Sequence, residues 1–196
     1  MSKVILIDNG HGSNTAGKCS PDKRLMEWAW TRTVAAMVCE KLMKKGIDAR
    51  LLVKETYDVS LTERVRRVNA VCRQHGASNV ALVSIHVNAA GNDGKWHDAR
   101  GFSVWIAKRA SENSKRLAQL MYAEAEKRDL KGNRCVPKEK YWQADFAMVK
   151  QTNCPAVLTE NLFQDNEEDV DYLLSEEGQE AITDMHVEAV MKYLKS

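Results

Sequence analysis

VILIDNGHGSNTAGKCS, residues Val4 to Ser20, carries four consecutive apolar residues into Asp8 and follows them with three glycines within eight residues. A short unbroken apolar run of this kind reads as a strand buried on both faces, and the glycines after it mark a tight loop at the edge of a sheet. Such loops often carry function. Two chemistries compete for this one. Gly12, Gly17 and Lys18 stand at the spacing of a phosphate-binding loop, whereas Asp8, Gly10, His11 and Gly12 suggest a metal site at a strand end.

Outward from this stretch, helical and strand periodicities alternate. Leu25 to Lys45 sets Leu25, Trp28, Val34, Met37, Val38 and Leu42 near one face at helical spacing and stops at Gly46. Ile47 to Val53 reads as a strand. SLTE, Ser60 to Glu63, is a capping box that opens a helix along Leu61, Val65, Val68 and Cys72 to Gly76. Val80 to Val87 is another largely apolar strand, GFSVWIA from Gly101 a further one, and Ser111 to Arg128 a helix through Leu117, Leu120 and Met121. After an irregular stretch rich in lysine and aromatics, Leu130 to Asp145, the runs FAMVKQ and PAVLTENLF read as two short strands separated by a turn at Cys154-Pro155. Two helices finish the chain, the first capped at Asn166 and the second spanning Ser175 to Lys195 with Ile182, Met185, Val190 and Leu194 as its apolar stripe.

This alternation predicts one α/β domain over residues 1–196, a mostly parallel central sheet of about six strands with helices on both faces. In such sheets ligands bind at the carboxyl ends of the strands, where Asp8 to His11, His86 to Asn88 and Glu160 to Phe163 all fall.

Composition narrows the function classes. A hydrophobic content of 44% in 196 residues argues against disorder, and a net charge of +2 from 29 basic and 27 acidic residues gives no general reason to expect nucleic acid or an anionic membrane as partner. The five cysteines (Cys19, Cys39, Cys72, Cys135, Cys154) form an odd set without a C-x-x-C pair, which speaks against a disulfide framework or a thiolate zinc site and for a reducing compartment. The first apolar run ends at Ile7, far too short for a signal-peptide core or a transmembrane helix. The expectation is a chain made in the cytoplasm, without a membrane anchor.

Gly12 to Lys18 meets the glycine and lysine spacing of a Walker A loop, but the next residue is Cys19 where a hydroxyl must hold magnesium, and Pro21 would break the helix that has to follow. No G-x-G-x-x-G or G-x-S-x-G motif is present. Metal chemistry has more support. Hydrolytic zinc commonly takes three nitrogen or oxygen ligands. Of the five histidines, His75 ends a helix, His97 lies in a polar loop and His186 in the last helix reads as a surface or packing residue. His11 and His86 each follow directly on an apolar strand at the same expected sheet edge. Glu27, in the first turn of the long helix among Leu25, Met26 and Trp28, is a candidate third ligand, although complementing the helix dipole is its ordinary role. Glu160 closes an apolar run at a strand end, where a buried carboxylate is costly unless it has chemistry to do.

Taken in order, these segments resemble the zinc-dependent N-acetylmuramoyl-L-alanine amidases of the type-3 class, which cut bacterial peptidoglycan. IDNGHGSNTAG looks like the first metal motif, Glu27 falls where the glutamate ligand stands, and SIHVNAA is similar to the second histidine motif. LTERVRRVNA resembles the L-x-x-R-x-x-x-A-N helix segment, and PAVLTENLFQDN the closing segment with the catalytic glutamate. The resemblance covers essentially the whole chain. It implies His11, Glu27 and His86 as zinc ligands, Glu160 as catalytic carboxylate and peptidoglycan as substrate; the chain itself reads as a single catalytic domain with no wall-binding module expected.

The chain departs from the pattern at Asn9, where proline is usual, at Ser13, and at Leu162, where a glycine normally precedes the phenylalanine. By the same reading Asp8 or Asn9 orients His11 through its second ring nitrogen, and Trp96, Trp105 and Trp142 are candidates for stacking on sugar or peptide. A wall enzyme made without an export signal fits a phage or prophage lysis protein, an endolysin, released through a separate pore. The alternatives are another zinc amidase or peptidase and, from a different class, a nucleotide-binding module using Gly12 to Lys18.

Overall fold

The computed structural model describes residues 3–195. In chain order its elements are β1 (Val4–Asn9), α1 (Glu27–Lys44), β2 (Asp48–Leu51), α2 (Leu61–His75), β3 (Val80–Asn88), β4 (Ser103–Ile106), α3 (Glu112–Glu126), β5 (Trp142–Gln143), α4 (Ala147–Lys150), β6 (Ala156–Phe163), α5 (Glu167–Leu174) and α6 (Glu176–Leu194). The strands form one sheet in the order β2-β1-β3-β6-β4-β5, parallel throughout except where β4 runs against β6. The expected α/β class and mostly parallel sheet of six strands are what the chain forms.

Strand periodicity sorts the core into two layers. Ile5, Ile7, Val83, Ile85 and Val157 pack in one cluster with residues of α1, α3 and α6, such as Val34, Leu117 and Ile182. Val4, Leu6, Leu82 and Leu158 alternate with them and meet Val65 and Val68 of α2 and Met148 and Val149 from α4. At the carboxyl ends of the strands this second series turns polar: Asp8, Ser84, His86 and Glu160 continue the alternation that Leu6, Leu82 and Leu158 begin. The polar group is therefore set on one face by the pleat alone.

Helix ends follow local chemistry. Ser60, Ser111, Asn166 and Ser175 each accept a backbone N–H three residues on, satisfying a donor that the helix leaves free. The buried stripe of α1 uses Trp30, Ala35 and Cys39 where the spacing pointed to Trp28 and Met37, both only half-buried. Among the described residues no helix is long and apolar enough to cross a membrane.

Two expectations are corrected. FAMVKQ is not a strand but the single turn α4, whose Met148 and Val149 bury against the second layer; the place beside β4 is taken by Trp142 and Gln143, from the stretch that showed no periodicity. The phosphate-loop reading also fails. No helix follows Lys18: Cys19 forms an antiparallel bridge with Met26, and α1 begins only at Glu27. Without a helix N-terminus behind the loop, its backbone amides are not arrayed around a phosphate.

Candidate active site

His11 stands two residues beyond β1, with a φ of 60°. The left-handed region costs a non-glycine residue about 1–2 kcal/mol, so the surroundings must hold it there. Arg64 of α2 does much of this. Only 2% exposed, it donates to Asp8 Oδ1 at 2.7 Å, to the carbonyls of Asn9 (2.6 Å), Val59 (2.8 Å) and His11 (3.0 Å), and to Asp58 Oδ1 at 3.1 Å. Arg32 of α1 donates to the same His11 carbonyl at 3.0 Å. Gly10 has no room for a side chain, since a Cβ there would fall 2.4 Å from the imidazole of His86.

His11 Nε2 lies 3.4 Å from Glu27 Oε2, and His86 Nδ1 lies 3.1 Å from Glu27 Oε1. One ligand atom from each of these residues falls within 4.8 Å of the others. Glu27 is 1% exposed; its Oε1 accepts the Val87 N–H at 3.0 Å, while its Oε2 has no hydrogen-bond partner. An unpaired buried carboxylate oxygen is costly. Zinc bonds of about 2.0–2.1 Å in tetrahedral array put neighbouring donors roughly 3.4 Å apart, the spacing between this oxygen and His11 Nε2. The donor set therefore fits a cation of zinc's kind.

Electrostatics favour metal at His11, while at His86 a bound cation has to displace a proton. Burial takes the His11 imidazole down to about 4, leaving it neutral, the form that binds metal. Burial also opposes charge on His86 and Glu27, but the hydrogen bond and opposite charge between them prevail, so Glu27 is held below its usual range and His86 above it.

Glu160 is the register partner of His86 across the β3–β6 pair. Its Oε2 has no hydrogen-bond partner, and burial pushes the carboxyl up to about 7, against the pull of a charged His86. Between the partners His86–Glu160 and Asn88–Phe163 the register slips by one residue. This bulge in β6 is where Leu162 sits, with a φ of 62°. Bulges beside active sites re-aim side chains, and this one is pinned from behind. Asn161 Nδ2 donates to the His86 carbonyl at 2.8 Å and to Thr159 Oγ1 at 3.2 Å. Thr159 in turn meets His186 Nε2 at 2.9 Å. His186 is fully buried and belongs to packing.

Other expectations fare differently. Asp8 and Asn9 do not touch the His11 ring: Asp8 is taken up by Arg64 and by Ser84 Oγ at 2.5 Å, and Asn9 Oδ1 has no partner, so His11 is oriented through its backbone instead. Trp105 and Trp142 form a tilted pair at 6.0 Å that packs near β4 and β5, and Trp96 is exposed beneath the Arg24 guanidinium. His97 pairs with Asp93 outside the cluster. Arg64 was legible only as part of the helix segment's likeness; nothing in its spacing announced that it would be buried.

An α/β domain that gathers nitrogen and oxygen donors and an unpaired carboxyl at the ends of its parallel strands is laid out as a hydrolase. Residues 5–192 match the family described as N-acetylmuramoyl-L-alanine amidase, and the chain belongs to that family, whose members act on peptidoglycan. Over 99% of its length it is 26% identical to the endolysin of Bacillus phage SPP1, of which it spans 67%. It is 30% identical over 87% of its length to the N-acetylmuramoyl-L-alanine amidase CwlM of Bacillus licheniformis, spanning 60% of that protein. The solved N-acetylmuramoyl-L-alanine amidase of Clostridium difficile 630 superposes with a TM-score of 0.81 at 26% identity, covering 100% of this chain and 98% of that one.

Proposed function

We propose that this amidase opens the amide between the lactyl group of N-acetylmuramic acid and the L-alanine of the stem peptide with zinc as cofactor, His11, Glu27 and His86 holding the ion and Glu160 moving the proton. The observation that carries the reading is the pairing of a three-donor cluster, one oxygen of which is buried and unpartnered, with an unpaired carboxyl in register beside it. Zinc bound there supplies a Lewis acid that makes water acidic near neutral pH and draws charge from the amide carbonyl.

Glu160 takes a proton from the attacking water at its carboxylate and passes it to the nitrogen of the departing L-alanine, so that the amine leaves neutral. Its position opposite His86 keeps it within one strand spacing of the cluster, and burial keeps its affinity for that proton high. With His11 and His86 both neutral, as metal binding requires, the cluster carries a single formal negative charge from Glu27, so a divalent cation would keep a net positive field toward the reacting oxygen.

Purified peptidoglycan digested by the zinc-loaded protein, with the new ends assigned, tests this reading. New N-terminal L-alanine is expected; other new termini would make the enzyme a zinc peptidase. We further propose that the chain works as one catalytic domain and reaches the wall after release in lysis, a reading that the similarity to a phage endolysin supports. An in-frame export signal upstream in the gene would overturn the release route.

A further inference from the structure

One strand beyond Glu160, away from His86, stands a second charged group. Ser103 on β4 is the cross-strand partner of Glu160, and its hydroxyl oxygen accepts Arg134 Nη1 at 3.2 Å and Trp105 Nε1 at 3.1 Å. The half-buried Arg134 guanidinium lies 5.2 Å from the Trp142 ring centre and 5.4 Å from that of Phe163. Among the described residues no carboxylate lies within 4.0 Å of it, as also holds for Arg32, whereas Arg24, Arg64, Arg67, Arg100 and Arg128 each have at least one.

The segment that carries Arg134 is held firmly. Asn133 donates to the Asp98 carbonyl at 2.7 Å and accepts the Arg100 N–H at 3.1 Å. Gly132 and Gly101 both have positive φ, 65° and 105°, and a Cβ on either would fall within 2.6 Å of the other segment's backbone. Two aromatic rings and one hydroxyl thus fix the guanidinium, whose charge also acts on Glu160, without a carboxylate in hydrogen-bond contact. Its remaining in-plane N–H groups suit a carboxylate, which a planar guanidinium grips through two parallel bonds.

We propose that Arg134 is the receptor for the α-carboxylate of the second stem-peptide residue. The inference rests on the amidase reading above and names a specificity determinant of the same site. With the scissile amide at Glu160, L-alanine spans about 3.3–3.6 Å in extended form, and the Cα–C bond of about 1.5 Å to the next residue's carboxylate covers the rest of the strand spacing of about 4.8 Å between β6 and β4. The next residue then arrives over Ser103 and Arg134. In stem peptides whose second residue is D-glutamate this group is a carboxylate; in those with D-isoglutamine it is a neutral amide.

The test uses two muramyl tripeptides that differ only in that group, assayed with zinc-loaded wild type, Arg134→Gln and Arg134→Lys. Wild type is expected to favour the carboxylate substrate by about 10- to 100-fold in kcat/KM, the range of a hydrogen bond to a charged group, mainly through KM. Arg134→Gln should bring the ratio close to one with bound zinc and melting temperature unchanged, and Arg134→Lys should keep part of it. A wild type indifferent to the substitution, or an Arg134→Gln that loses both substrates equally, overturns the proposal. Calorimetric binding of the two free tripeptides separates this from the amidase reading. Carboxylate-dependent binding that Arg134→Gln abolishes, in a protein that releases no L-alanine ends, sinks the amidase reading and sustains the subsite. Equal binding of both peptides sinks the subsite.

Discussion

At Glu160 burial and the charges around it pull against each other. The carboxyl, with one oxygen unpartnered, is pushed up to about 7 from an ordinary 4.5. Its proton is therefore held more tightly in the folded state than in the unfolded one. The stability this group contributes is full below about 4.5 and is lost as pH rises through 7. Metal-stripped Glu160→Gln is expected to melt above wild type at pH 8, by on the order of 1–3 kcal/mol, with the gap closing toward pH 5. Identical melting at both pH values would mean that the carboxyl is satisfied by a partner after all. In the zinc-loaded protein the same variant should keep its metal and lose about 10² to 10⁴ in turnover, whereas His86→Ala should lose metal and turnover together. An Glu160→Gln enzyme within tenfold of wild type would remove the carboxylate from the chemistry.

Two elements aim the site, β6 through its bulge and α2 through Arg64. Leu162 occupies the left-handed position of the bulge, yet it is 4% exposed and belongs to the first core layer. Glycine there would relieve about 1–2 kcal/mol of backbone strain, but deleting a buried leucine side chain costs about 2–5 kcal/mol. Burial wins. Leu162→Gly should unfold at lower urea concentration, by roughly 1–3 kcal/mol, and a variant more stable than wild type would show that the strain dominates. Arg64→Met leaves Asp8 buried beside Ser84 without its cation, a loss of about 3–5 kcal/mol. It also takes a donor from the His11 carbonyl, so zinc titration should show weaker binding; unchanged zinc affinity would mean that Arg32 alone suffices to hold His11.

Across the whole molecule, the layer of α1, α3 and α6 is locked by a charge cluster far from the site. Glu124 of α3 is 3% exposed and binds Lys127 at 2.7 Å, Arg128 at 3.0 Å and Lys192 of α6. Burial raises its affinity for a proton, but the hydrogen bonds from the three cations outweigh it and hold the carboxyl at about 2. Stability from this group is present above 4.5 and is lost as pH falls through 4.5 toward 2. Glu124→Gln should cost about 2–3 kcal/mol in urea melts at pH 7, with the difference shrinking by pH 3 and peptidoglycan cleavage unaffected. A difference that persists undiminished at pH 3 would assign the loss to packing.

Most element types, the parallel sheet and the sheet edge where the polar cluster gathers were legible in the sequence because their signals are local. Four apolar residues before Asp8, a like run before His86 and another before Glu160 each announce a strand end without reference to any other part of the chain. What lies between segments was not. Whether Glu27 faces His86, 59 residues away, depends on how α1 packs against β1 and β3. The strand partner at Trp142, the burial of Arg64 under the first loop, the placing of the Arg134 guanidinium on Ser103 and the positive φ of Leu162 likewise depend on which segments meet. Periodicity reports how one segment divides between core and solvent. Only the closed fold decides which buried groups become neighbours, and for groups that carry charge the neighbour determines proton affinity and hence role.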